Sequence, residues 1–442
     1  MSSAFWPLII GGAALLMPGV TQELSIDAVG RIGLSSDGTG AGELSAITWI
    51  DDALFHIVSD TNATVYPTSI EINRRTGAVT HTNMQSGYVL ANGVDVEGLA
   101  FSDDIGTLYA GDEVGPAVRA HVVGDGSLLE PVTVPDVFGS VRANFGIESL
   151  ALQDGHRSLW FCNEEALTVD GPLSTTTMGT VIRIQRLDAD LQPGGQWAYR
   201  TDAITNDSPL IDEERSGVSD LLVLPDGRVL VLERELGGVG FLKRPEFRSR
   251  IYEVDFTTAT DTSAIGALDG AQYAPADKHL LWEGRFSFEN YEGITLGPQL
   301  DDGSFCVLLV SDDGGGLLQS VYALRLYGAG PRLTQDDLVR GMTTTFHIEP
   351  IRPGETAYLL YSTNGVGPGP RPSQIGGLRL DLVTPVTVAG SAEADTDGLV
   401  TIQMRIPANA PLIDVSTQAI VMRGLNGARS VKTNTVTAPT LP

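Results

Sequence analysis

The chain has 442 residues, 42% of them hydrophobic, and 28 basic against 55 acidic residues give a formal charge of −27. That length can bury one large core or two domains. So acidic a surface repels phosphate backbones and anionic lipid, which argues against nucleic acid or a membrane surface as partner.

The chain opens on an apolar stretch from Phe5 to Val20 that contains Pro7 and Pro18 and is short for a membrane span. Residues 1–22 read as a signal peptide, although a basic n-region is missing (the first basic residue is Arg31) and no A-x-A site follows. The expectation is a secreted or periplasmic protein with no transmembrane segment.

From residue 45 the chain repeats. Aligned on an opening acid, it reads EGLAF at Glu97, ESLAL at Glu148, DLLVL at Asp220 and EGITL at Glu292, with SAITW at Ser45 in the same frame. In each copy alternate residues share one face of a strand. A turn rich in Asp and Gly follows, as tight hairpins require. A second apolar strand then ends in another acid: Asp60, Asp112, Glu164, Glu233 and Asp312, with Glu113 beside Asp112. Further strands follow, among them AVRAHVV, TVIRIQRL, RIYEVDF and SVYALRL.

Four antiparallel strands recurring every 50 to 70 residues predict an all-β fold, a β-propeller over residues 23–330. Five copies predict five blades, with six as the alternative if a degenerate blade hides in the longer copies. The fifth copy lacks an outermost strand after Leu326, and LSIDAVGRIGL (24–34) is placed to supply it and close the ring. Beyond residue 330 the acid–turn–acid units stop. Short alternating strands with Pro, Gly and Asn turns predict a small β-sandwich over residues 331–442. Within it, ADTDG (394–398) is half a calcium loop without the downstream Glu, and reads as a turn.

A propeller brings equivalent inner-strand positions to its axis, so Glu97, Glu148, Asp220 and Glu292 are expected to converge there, beside Ser45 and Glu43. Four such carboxylates need a cation or protons to coexist. Oxygen-only ligands favour calcium. Alternatively each acid caps its own blade by accepting backbone N–H groups. The second ring of Asp60, Asp112, Glu113, Glu164, Glu233 and Asp312 is expected at the second-strand ends. Arg234, Lys243, Arg244, Arg248 and Arg250 form the densest basic patch, read either as an anion-binding surface or as a solvated loop.

Other chemistries lack their residues. G-x-S-x-G, H-E-x-x-H, a Walker loop and a dinucleotide fingerprint are all absent. Cys162 and Cys306 are too few for a zinc–thiolate site and read as buried free thiols. His56 and His121 lie in strand-like runs and read as structural.

The motifs LSAITW…SD, DVEGLAF…GDE, NFGIESLAL…NEE, GVSDLLVL…LERE and NYEGITL…VSDD occur in this order. Over residues 43 to about 327 the chain thereby resembles the esterase-like phytase-like family of exported bacterial propellers. That resemblance implies esterase or phosphate-ester hydrolase activity, and related propeller phytases bind phosphate through clustered calcium. Two functions remain open from the sequence. One is a secreted calcium-dependent hydrolase of a small-molecule ester or phosphomonoester; the other is a non-catalytic extracellular scaffold holding a ligand or surface partner.

Overall fold

The structure, a computed structural model, describes residues 22–442 except 36–40, 104, 144, 154, 156–157, 206, 209, 211–213, 240–243 and 313–318. The expected signal peptide and Lys243 lie outside the described residues.

Among the described residues the propeller has five blades, each a four-strand antiparallel sheet. Blade 1 runs Leu44–Asp51, Leu54–Ser59, Thr64–Ile72 and Val79–Met84, with the short Tyr88–Val89 pairing to its third strand. Blade 2 runs Val96–Ser102, Thr107–Asp112, Ala117–Val122 and Leu128–Val132. Blade 3 comprises Ile147–Leu152, Leu159–Asn163, Val181–Leu187 and Pro193–Arg200, and blade 4 Arg215–Val223, Val229–Val239, Arg244–Asp255 and Asp277–Phe286. Blade 5 has Asn290–Gln299, Phe305–Asp312 and Ser320–Tyr327, and its fourth strand is the N-terminal Ser25–Gly33. Strands from both ends of the repeat thus share one sheet, which is how the ring closes. The propeller fold and the five-blade count follow the repeat.

The five inner strands neighbour one another in a closed circle. Apolar side chains fill the blade seams, for example Leu99 with Val58 and Val65 between blades 1 and 2. The inner strands also approach closely, which explains the Gly after two of the repeated acids. A Cβ on Gly98 would lie 2.9 Å from the Leu150 nitrogen, and one on Gly293 2.9 Å from the Ile47 nitrogen. No residue with a side chain fits there without a shift in the neighbouring backbone.

The C-terminal residues form two further sheets. Arg332–Gln335, Thr343–Glu349 and Val400–Arg405 make one. Leu338–Val339, Val431–Leu441, Asp414–Val421, Thr356–Ser362 and Thr387–Glu393 make the other. Their apolar residues Leu333, Phe346, Ile348 and Val400 are continuous with Leu324, Leu326 and Leu232 of blades 4 and 5, so one core spans both regions. In ADTDG the Asp395 carboxylate accepts the N–H groups of Asp397 and Leu399, which closes an ordinary turn. No helix of the described residues is long and apolar enough to cross a membrane.

Candidate metal centre

The innermost hairpin of every blade carries the same irregularity. The register shifts between Leu44 and Ala46, Val96 and Gly98, Ile147 and Ser149, Val218 and Asp220, and Tyr291 and Gly293. The extra residues are Ser45, Glu97, Glu148, Ser219 and Glu292, one equivalent position in five blades. A bulge takes its residue out of the ladder and re-aims the side chain. Glu97, Glu148 and Glu292 are mutually within electrostatic reach, so the ring gathers three of the four expected acids.

Asp220 is not on this ring, which corrects the expected alignment. The ladder places Ser219 there, and a one-residue shift turns a strand side chain to the other face. The Asp220 carboxylate instead accepts the Ile294 N–H at 2.7 Å and the Leu221 N–H at 2.8 Å. It ties blade 4 to blade 5, as the capping alternative requires. The ring serines also serve the seams: Ser45 Oγ donates to the Val96 carbonyl at 2.8 Å and Ser219 Oγ to the Tyr291 carbonyl at 3.4 Å.

The second strands add a layer at the end where the inner strands begin, the mouth. Ser59, Asp112, Asn163, Glu233 and Ser311 pair with residues at the start of the inner strands. The residue after each, Asp60, Glu113, Glu164, Arg234 and Asp312, occupies the mouth position. Asp112 and Glu233 are therefore out of the second ring, Asp112 bonded inside its own blade and Glu233 to both its own blade and blade 3. Asp112 accepts the N–H groups of Val94 and Asp95 and pairs with Arg119. Glu233, fully buried, takes the Tyr199 hydroxyl at 2.6 Å, the Asp202 N–H at 3.0 Å and the Lys278 Nζ at 2.5 Å.

Arg234 also departs from expectation. Rather than joining an exposed anion-binding patch, it turns into the acids, donating to Glu292 at 2.5 Å and to Glu164. Arg244 is exposed. Arg250 pairs with Glu235 at 2.7 Å and Glu283 at 3.2 Å, and Arg248 lies 3.8 Å from Glu235. Arg248 and Arg250 are matched by local carboxylates.

A simple rule describes the mouth. Each seam gathers the mouth residue of one blade, plus the bulge residue of the next blade and the residue two positions before it. Seam 1/2 thus holds Asp60, Asp95 and Glu97, whose carboxylate oxygens lie within 4.8 Å of one another. Seam 2/3 holds Glu113 and Glu148, joined by Glu164 within the same distance. Seam 3/4 contributes Gly217 and Ser219, seam 4/5 Arg234, Asn290 and Glu292, and seam 5/1 Asp312, Glu43 and Ser45. Among the described residues no basic side chain forms an ion pair with Asp60, Asp95, Glu97, Glu113 or Glu148. Asp95 and Glu113 share a side-chain hydrogen bond that links the first two seams.

The crowding shows in the proton affinities. Burial first, then neighbouring carboxylates, hold Glu97 and Glu148 well above the usual range. Burial pushes Glu113 to about 7, with Glu164 and Asp95 adding to the rise. Glu292 rises to about 8 by burial, opposed by Arg234. Asp60 rises to about 6, again mainly by burial. Glu165, beside Glu164, is pushed by burial to about 7, and its buried Oε1 has no hydrogen-bond partner.

These residues fit a hard divalent cation. The donors are all oxygen, they come in two compact sets in which only Glu164 is paired with a base, Arg234, and their ionisation is costly unless positive charge is supplied. They do not suit zinc or copper, which favour nitrogen and sulfur. Burial pushes the two free thiols, Cys162 and Cys306, up to about 12. His56 Nδ1 lies 3.1 Å from the Tyr88 hydroxyl and burial lowers its pKa to about 4; His121 contacts the Gly126 carbonyl and is also lowered by burial. Neither is an available base.

The phytase-like family model, described as esterase-like activity of phytase, matches residues 39–315. The chain belongs to that family. No curated protein matches the chain at a significant level. Among solved structures it is similar to a PQQ-bound aldose sugar dehydrogenase from Streptomyces coelicolor, at 12% identity and TM-score 0.31, covering 69% of this chain and 98% of that one. A member of the duf4221 family from Bacteroides vulgatus is 7% identical, with TM-score 0.35 and coverage of 69% and 99%. The WD40 propeller domain of Doa1 is 10% identical, with TM-score 0.28 and coverage of 68% and 96%. The propeller assignment rests on the strand pairing itself.

Proposed function

We propose that this protein is an exported, calcium-dependent hydrolase of an ester or phosphomonoester, acting at the mouth of the propeller channel. The observation that carries the reading is the pair of carboxylate sets across seams 1/2 and 2/3, in a member of a family named for esterase-like activity. Asp60, Asp95 and Glu97 would hold one ion, and Glu113, Glu148 and Glu164 a second. Bound calcium supplies a Lewis acid for a carbonyl or phosphoryl oxygen and positive charge to receive an anionic substrate.

The chain's own residues do the rest. Asp220, Ser45 and Ser219 lock the inner strands, so the bulged carboxylates keep fixed positions. The Asp95–Glu113 hydrogen bond couples the two sets: a proton on Glu113 stabilises ionised Asp95, so an ion that displaces it must also supply the charge that Asp95 then lacks. Glu165, titrating near neutrality, is placed to hold or release a proton beside Glu164.

Activity on a panel of nitrophenyl esters and phosphomonoesters tests the reading. It should be abolished by a calcium chelator, restored by calcium and unaffected by a fluorophosphonate. Chelator-resistant activity that a fluorophosphonate removes contradicts it. The engagement of Arg234 by Glu164 and Glu292, which leaves it unready for an anion, favours the second reading of a calcium-binding scaffold. Calcium binding without turnover on the whole panel selects that reading.

A further inference from the structure

We infer that Arg234 is a built-in cation: blade 4 supplies, as a tethered guanidinium, the charge that its side of the mouth would otherwise take from solution, and so limits the mouth to two calcium ions. The inference rests on reading the mouth as a calcium site.

Three observations carry it. At the five equivalent mouth positions four blades place a carboxylate and only blade 4 places a base. That base spans both seams beside it, reaching Glu164 of blade 3 and Glu292 of blade 5. Those same seams are the ones depleted of acids. Seam 3/4 has Gly217 and Ser219 where seam 1/2 has Asp95 and Glu97. Seam 4/5 has Asn290, whose Nδ2 donates to Glu292 at 2.6 Å, where seam 1/2 has Asp95. Loss of acids and gain of a guanidinium occur together on one side of the ring, whereas seam 1/2 keeps three acids and seam 2/3 two, with Gly146 at the remaining position, and no described base pairs with Asp60, Asp95, Glu97, Glu113 or Glu148. A guanidinium holds its charge at any working pH and cannot diffuse away. It therefore balances Glu292 permanently, where a soluble ion would leave under chelation.

Counting bound calcium on the full-length protein by equilibrium dialysis at saturating free calcium tests this. Wild type should bind two ions. Arg234→Glu, which restores the pattern of the other four blades, should bind three, and Arg234→Lys two. Glu292→Gln, which keeps Arg234 and removes no residue of either calcium set, should also bind two and decides the matter if Arg234→Glu does not fold. No gain in Arg234→Glu, or loss of an ion in Glu292→Gln, overturns the inference. The underlying reading fails separately. A wild type without calcium but an Arg234→Glu protein with one ion would sink the calcium site and keep the role of Arg234. Two ions in both would do the reverse.

Discussion

At the mouth the inner strands begin among Glu97, Glu148 and Glu292, whereas at the other end the same strands run into the C-terminal sheets. There they line a cavity of about 90 Å³ with Arg352, Arg423 and Arg429. Each of those arginines has a partner on the chain. Arg352 meets Asp103 at 3.0 Å, Arg423 meets Glu355 at 2.6 Å, and Arg429 donates to the Ile50 carbonyl at 3.0 Å while lying 4.6 Å from the Trp49 ring centroid. Lys432, with no exposed side-chain surface, donates to the carbonyls of Asp301 and Arg379, each at 2.7 Å, and to Asp381 at 2.6 Å. Charge at the base is balanced within the chain. At the mouth, no described base forms an ion pair with Asp60, Asp95, Glu97, Glu113 or Glu148, and burial raises the proton affinity of these crowded acids.

The largest effect is expected at the base. Lys432→Met leaves two carbonyls and a carboxylate without their buried donor, and should lower unfolding stability by about 3 kcal/mol in urea titrations. A loss under about 1 kcal/mol would mean that the base is not held in this way. At the mouth, calcium at a hundredfold excess over its Kd should stabilise the fold by about 2.7 kcal/mol for one site. Glu148→Gln should shrink that gain, seen as a smaller calcium-dependent rise in Tm. An undiminished rise would move the ion elsewhere.

Smaller but more diagnostic is the pH dependence in chelator. Asp60, Glu113 and Glu292 have folded pKa values of about 6, 7 and 8, all above their ordinary values. The native state therefore keeps protons that the unfolded chain has released. Their contribution is fully present below the ordinary carboxylate range and is lost as pH rises through 6 to 8. The metal-free Tm should fall over that window, and calcium should flatten the fall. A Tm that rises with pH in chelator contradicts the crowding. The smallest change is Arg429→Met at the base, which removes a backbone hydrogen bond and a cation–π contact and should cost about 1 kcal/mol without altering calcium binding.

Much of the propeller was legible in the sequence. Alternation, acidic turns and a recurring unit define the inner hairpins, and the missing outer strand of the last unit identified Ser25–Gly33 as its completion. The mouth was legible only in part. Glu97, Glu148 and Glu292 announce themselves, but in the VSD of blade 4 either Ser219 or Asp220 can open the motif, and only the ladder chooses between them. The same ambiguity misplaced Asp112 and Glu233 by one position. Arg234 was hidden for a related reason: its meaning depends on standing where other blades carry an acid, and that requires the register. Glu43 was read beside Ser45 on the same face, but Asp95 gains its place from the seam rule, which adjacent blades create and no single repeat contains. The docking of Lys432 and Arg429 onto the propeller base carried no motif at all.

The most direct test of the mouth as a calcium centre is the electron density of crystals grown with calcium. The account predicts two ions, one among Asp60, Asp95 and Glu97 and one among Glu113, Glu148 and Glu164, with none between Glu292 and Arg234. A mouth filled with water alone, its carboxyls hydrogen-bonded to each other at saturating calcium, would contradict it.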